Sequence, residues 1–170
     1  MKVVVFVDVQ NDFVIGSLGN EVAQKTVPKI VDFAKECVKN GYKLYATRDT
    51  HEKTTYANIH KLNGTVNQDV PWNGYLSTLE GQKLPVEHCI EGTDGWQIVP
   101  ELMDVLLGNC TFVNKPTFGS FDLAKLIEED TCKTWEKVPY EKNYDIDEIV
   151  ICGFCTDICV ISNAIILRAK

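Results

Sequence analysis

The stretch Ile149-Val150-Ile151-Cys152-Gly153-Phe154-Cys155-Thr156-Asp157-Ile158-Cys159-Val160 carries three thiols across a change of backbone pattern. It opens as an apolar, β-branched run, turns at Gly153, and continues from Thr156-Asp157 as an apolar helical pattern. A cysteine in the first turn of a helix meets unpaired N–H groups and the positive end of the dipole, both of which favour a thiolate. Cys159 is therefore the candidate nucleophile, and it needs a base, an oxyanion site and a pocket. Asp8 follows the apolar run Lys2–Val7 and falls at the carboxyl end of a strand, where open α/β sheets gather ligand-binding groups. Taken alone, Asp8 serves equally well as a base or as a loop carboxylate capping a backbone group. Lys115 ends the run Cys110–Asn114 in the same way, although exposure to solvent is the usual fate of a lysine. Taken together, the carboxylate can accept the thiol proton, while the ammonium lowers the cost of a thiolate and orients the carboxylate.

A second group is built from imidazoles. Asp49 and His51 are two apart, so in extended backbone they face the same side. Together they could share zinc, iron or manganese; a loop hydrogen bond between them is the simpler account. His88, in Leu84-Pro85-Val86-Glu87-His88-Cys89, is a candidate third ligand. His60 lies in a polar stretch and is expected to face solvent.

These residues need a sheet to bring them together. Lys2–Asp8 is apolar almost throughout, as in a strand buried on both faces of a parallel sheet. Thr26 is expected to cap a helix with Pro28 in its first turn, with Ile30, Phe33, Ala34, Cys37 and Val38 as its core stripe and Asn40-Gly41 as its end. Tyr42–Thr47 is the second strand, so a right-handed βαβ unit is expected. Residues 52–95 are punctuated by Gly and Pro and are irregular, a length that points to function or mobility. A short helix over Pro100–Leu107, a third strand from Cys110, and a helix over Phe121–Ile127 capped by Ser120 follow. Glu128–Asp147 is expected to be a polar surface excursion. The fourth strand and a helix from Thr156 end the chain.

The 170 residues, 45% of them apolar, suit a single domain over residues 1–170 with a sizeable core. A net charge of −7 with no basic run gives no support for nucleic-acid or anionic-membrane partners. The apolar N-terminal run breaks at Asp8, short of the ~7–15 residues of a signal-peptide core. Seven cysteines, an odd number, with no secretory signal imply reduced thiols and a cytoplasmic location.

Asp8-Val9-Gln10-Asn11-Asp12-Phe13, Thr47-Arg48-Asp49-Thr50-His51, His88-Cys89, Lys115-Pro116 and Gly153-Phe154-Cys155-Thr156-Asp157-Ile158-Cys159-Val160 together resemble the isochorismatase-like cysteine hydrolases, in the nicotinamidase-related branch. The resemblance spans residues 3–164. It implies a three-layer α/β/α fold with a parallel, Rossmann-like sheet, a catalytic triad of Asp8, Lys115 and Cys159, and a cis peptide between Phe154 and Cys155. An oxyanion hole made by the N–H groups of Cys155 and Cys159 is also implied. So is a divalent metal on Asp49, His51 and His88, which holds a pyridine nitrogen or water. Phe13 would line the substrate pocket. Family members usually add a Trp before the His-Cys pair; here Leu84–Glu87 holds no aromatic, and Trp72 or Tyr75 is expected to substitute. Family members also carry two strands after the nucleophile helix. This chain is thus expected to be C-terminally short, with one sheet edge uncovered, a hazard for aggregation or dimerisation.

The expected activity is hydrolysis of a small amide, nicotinamide or a relative, through a Cys159 thioester; the resemblance also admits a homo-oligomer. Two alternatives differ in chemistry: an isochorismatase-type hydrolase of a vinyl ether, and a thiol redox protein using Cys152-x-x-Cys155. A scaffold with a degenerate site and a structural zinc on Cys152, Cys155 and Cys159 are weaker readings.

Overall fold

The structure is a computed structural model that describes residues 1–53, 87–132 and 145–170. Four strands make one parallel sheet in the order β3-β2-β1-β4: β1 (Lys2–Val7), β2 (Lys43–Asp49), β3 (Cys110–Lys115) and β4 (Glu148–Gly153). The chain steps from β1 to β2 to β3 in one direction, then returns to the other side of β1 for β4. The reversal puts a switch point between the carboxyl ends of β1 and β4, the crevice where open α/β sheets bind ligands.

The apolar runs form strands because both faces of the sheet are covered. Val4, Phe6, Leu44 and Ala46 pack on one face against Val27, Ile30, Val31 and Ala34 of α2 (Glu21–Lys39) and Leu102 and Leu106 of α3 (Pro100–Leu106). Val3, Val5, Val7 and Tyr45 pack on the other face against Leu123 and Ile127 of α4 (Phe121–Thr131), together with Cys159. The fold is the expected three-layer α/β/α arrangement. A short α1 (Asn11–Val14) follows β1, and α5 (Ile161–Ala169) closes the described chain. None of the helices among the described residues is long and apolar enough to cross a membrane.

Two expectations are corrected. The long helix starts at Glu21, not after Thr26: the Asn20 side chain caps it by accepting the Ala23 N–H at 2.9 Å. Pro28 therefore lies inside the helix, where a proline costs ~3 kcal/mol. Buried Val27, Ile30 and Val31 on the same helix contribute roughly 1.5–3 kcal/mol each, which outweighs it. Thr26, instead of capping, donates its hydroxyl to Val22 O at 2.7 Å. The region expected to be irregular from Glu128 begins as helix, because α4 runs on to Thr131, with Glu128 and Thr131 buried.

Candidate active site

All four strands deliver a functional group at their carboxyl ends. Asp8 leaves β1 with φ 51°, a left-handed conformation that aspartate tolerates better than most residues. Its N–H reaches Thr47 O and Thr47 Oγ1, both at 3.2 Å, and the Thr47 hydroxyl donates to Asp8 Oδ1 at 2.6 Å. Asp8 Oδ2 lies 2.6 Å from Lys115 Nζ, yet accepts no directed hydrogen bond among the described residues. Lys115 Nζ also lies 3.6 Å from Cys159 Sγ and 3.6 Å from Asp49 Oδ1, and it donates to Thr117 O at 3.1 Å. Lysine is normally exposed, but Lys115 is 1% exposed, beside Asp8 at 0% and Cys159 at 4%. Asp8, Lys115 and Cys159 are therefore brought together. Lys115 comes from two strands away and crosses over β2, so one ammonium serves both the Asp8 and Asp49 carboxylates.

The electrostatics differ from the helix-dipole expectation. Burial pushes the Cys159 thiol up, the Asp8 carboxylate adds to this, and Lys115 opposes both. Burial raises the Asp8 carboxyl, against the pull of the Lys115 charge. Burial would lower Lys115, but Asp8 and Asp49 outweigh it and the ammonium is held above its ordinary range.

β4 ends at Gly153, with φ 133°, where a Cβ would run into the Val7 carbonyl; only glycine passes this close to β1. The Phe154–Cys155 peptide is cis. The Cys155 carbonyl then accepts from Ile158 N–H at 3.2 Å and Val160 N–H at 3.1 Å. The second bond spans five residues and makes Thr156–Val160 a widened turn at the nucleophile, a feature frequent at functional sites.

Asp49, His51 and His88 also converge. Both imidazole Nε2 atoms address Asp49 Oδ2, at 3.0 Å from His51 and 3.2 Å from His88, and all three residues are buried. Their ligand atoms lie within 4.8 Å of one another. Burial alone would raise Asp49, but hydrogen bonds from the two histidines and the Lys115 charge hold it well below the usual carboxylate range. Asp49 Oδ1 accepts no directed hydrogen bond among the described residues. One carboxylate and two imidazoles, all buried and with ligand atoms within 4.8 Å of one another, are a donor set that fits zinc, iron or manganese.

Phe13 is 6% exposed and meets His88 edge-on, ring centroids 5.7 Å apart. Trp72, Tyr75 and His60 lie outside the described residues. A cavity of about 690 Å³ opens beside α2 and holds none of these site residues; its lining includes Val14, Val27, Val31 and Pro100. The redox reading loses ground. Cys152 lies inside β4, and burial pushes its thiol up to about 12.

Four contributors escape local pattern reading: Thr47, Gln10, Asp12 and Asn163. Asn163 is 0% exposed; it accepts Ser120 N–H at 3.0 Å and donates to Phe118 O at 3.2 Å and Cys159 O at 2.8 Å. Its one signal is an amide four residues after Cys159 in a mostly apolar helix.

Comparison with known proteins agrees with this architecture. The nicotinamidase of Saccharomyces cerevisiae is 30% identical over 180 residues, covering 97% of this chain and 80% of that protein. The pyrazinamidase/nicotinamidase of Streptococcus mutans superposes with a TM-score of 0.70 at 23% identity, covering 99% of this chain and 80% of the other. The pyrazinamidase of Pyrococcus horikoshii, solved in complex with zinc, gives 0.64 at 22% identity, covering 96% and 76%. The isochorismatase domain matches residues 2–169, nearly the whole chain, and the protein belongs to that family of hydrolases.

Proposed function

We propose that the protein hydrolyses a small amide, nicotinamide or a related aromatic amide, through a thioester on Cys159. It is a hydrolase of amide C–N bonds, as its nicotinamidase relatives are. One observation carries the thioester reading: a single buried ammonium, Lys115, touches both Asp8 Oδ2 and Cys159 Sγ.

Burial and the Asp8 carboxylate favour the thiol form of Cys159, so its deprotonation is coupled to attack. Asp8 Oδ2, held 2.6 Å from the Lys115 ammonium, takes the thiol proton as Sγ bonds to the substrate carbonyl carbon. The resulting oxyanion sits on the N–H groups of Cys155 and Cys159; one such donor is worth about 2.7–4 kcal/mol. Ammonia leaves with the proton from Asp8. Asp8 then deprotonates water, which cleaves the thioester and returns Cys159 to the thiol. Lys115 stays charged throughout and holds the carboxylate in place. Asp49, His51 and His88 would hold a divalent metal, whose chemistry there is to bind a pyridine nitrogen or a water. Phe13 forms one wall of the pocket. The same residues support assignment of residues 1–170 to one hydrolase domain.

The test is ammonia release across a panel of small amides, with and without chelator. Cys159→Ala should lower turnover by at least about 10⁴-fold while leaving the far-UV spectrum unchanged. Ammonia release that survives in Cys159→Ala would sink the thioester. Absence of release from every amide, with cleavage of a vinyl ether, would favour the isochorismatase-type alternative.

A further inference from the structure

We propose that Gln10 and Asp12 are positioning residues that hold the Asp49–His51–His88 group in shape for a metal ion. This rests on the metal reading above. Of the stretch Asp8–Phe13, the mechanism uses only the two ends.

Gln10 is 0% exposed. Its Oε1 accepts the Asp49 N–H at 2.7 Å, and its Nε2 donates to Asp49 O at 2.9 Å and Trp96 O at 2.8 Å. The side-chain amide thus brackets Asp49 through both of its backbone groups. Its second N–H secures the segment carrying Trp96.

Asp12 secures the other side. Its Oδ2 accepts the Cys89 N–H at 2.7 Å, one residue past His88. Cys89 has φ 49°, a conformation a cysteine does not adopt without support. The Cys89 carbonyl in turn accepts the His51 N–H at 3.0 Å. One carboxylate therefore anchors a backbone link between both imidazole-bearing positions. Space is reserved for it: a Cβ at Gly95 or at Gly16 would run into the Asp12 carboxylate. Main-chain bonds from Asn11 N to Gln97 O at 2.9 Å and from Asp12 N to Gly95 O at 3.0 Å close the strap. The residues that follow the base thus fix the histidine that the next strand does not carry. Outer partners of this kind typically cost about 10–100-fold in metal affinity when removed.

The experiment is a cobalt(II) titration of the metal-free full-length protein, read by visible absorption. Wild type should bind one cobalt ion. Asp12→Ala and Gln10→Ala should each bind about 10–100-fold more weakly, with a changed absorption band. Asp12→Asn keeps an oxygen that accepts the Cys89 N–H and should stay within about threefold of wild type. Gly95→Ala, which displaces the carboxylate without removing it, should reproduce the loss and serves where Asp12→Ala does not fold. A merely structural role would lower the thermal midpoint of the metal-free protein and leave the cobalt affinity of the folded fraction unchanged; that result overturns the inference. Wild type that binds no cobalt overturns it together with the metal reading, whereas unchanged binding in the folded variants overturns it alone.

Discussion

The two halves of the site are built differently. The thiol half joins Asp8 to Cys159 at the switch point between β1 and β4, and Thr47 and Asn163 tie its parts to main chain. The imidazole half takes Asp49 from the end of β2, His51 from just beyond it, and His88 from a separate segment held by the bridge between His51 and Ile90. In the thiol half, Lys115 and Thr47 bear directly on the reacting groups, the Asp8 carboxylate and Cys159 Sγ. In the imidazole half, two nitrogens converge on one oxygen of Asp49 while the other oxygen lacks a directed hydrogen bond among the described residues. One half is shaped for a reaction and the other for holding something. Lys115 is their joint, 2.6 Å from Asp8 and 3.6 Å from Asp49.

That joint gives the largest expected effect. Lys115→Met leaves two buried carboxylates without their cation, and removal of one partner of a buried ion pair costs about 3–5 kcal/mol. Urea unfolding should show a loss of this size, and turnover should disappear. A stable Lys115→Met protein would mean that the two halves are held together by something other than this charge. The next largest separates them. His88→Ala should weaken divalent-metal binding by at least about 10-fold and raise KM, while alkylation of Cys159 by iodoacetamide stays within about twofold of wild type. A parallel fall in alkylation would erase the division into halves.

The sequence made the thiol half more legible than the imidazole half. Asp8, Lys115 and Cys159 each follow a strand pattern, and strands of a parallel sheet end on the same side. The short spacing of Asp49 and His51 was likewise visible. Invisible to local pattern were contacts that span the chain: Thr47 to Asp8 over 39 positions, Gln10 to Trp96 over 86 and Asp12 to Cys89 over 77. The same limit hid how Lys115 arrives, because strand order, unlike strand identity, is set by packing between distant segments. The thiolate expectation failed for a related reason. A helix end is worth ~0.3–1 kcal/mol at an exposed site, and the burial of Cys159 beside a carboxylate outweighs it. The start of α2 was missed because Thr26-x-Pro28 imitates a cap, while the real cap, Asn20, stands in a run without apolar periodicity.

Asn163 tests whether the thiol half needs its main-chain ties. Asn163→Ala strips partners from Ser120 N–H, Phe118 O and Cys159 O, all addressed by one buried amide. Leaving buried backbone groups unsatisfied costs about 1–3 kcal/mol. Thermal unfolding should register that loss, and turnover should fall about 10-fold as Cys159 drifts from Lys115. Metal affinity should be unchanged; a loss of metal binding would show that the helix positions both halves.

The smallest effect sharpens the comparison most, because Thr47 belongs to β2 yet serves Asp8. Thr47→Val keeps the shape and the strand preference of the side chain, so the fold should persist. It removes the hydroxyl that donates to Asp8 Oδ1 at 2.6 Å, and a hydrogen bond to a charged group is worth about 1.5–3 kcal/mol. Part of that loss is recovered, because Asp8 keeps its ion pair with Lys115 at 2.6 Å and its N–H keeps Thr47 O. A fall in kcat of about 3–10-fold, with cobalt affinity unchanged, is therefore expected. If cobalt affinity falls as far as kcat, β2 acts as one rigid unit and the halves are divided by strand. If only kcat falls, they are divided by the hydrogen bonds each side chain makes, and position along β2 is incidental.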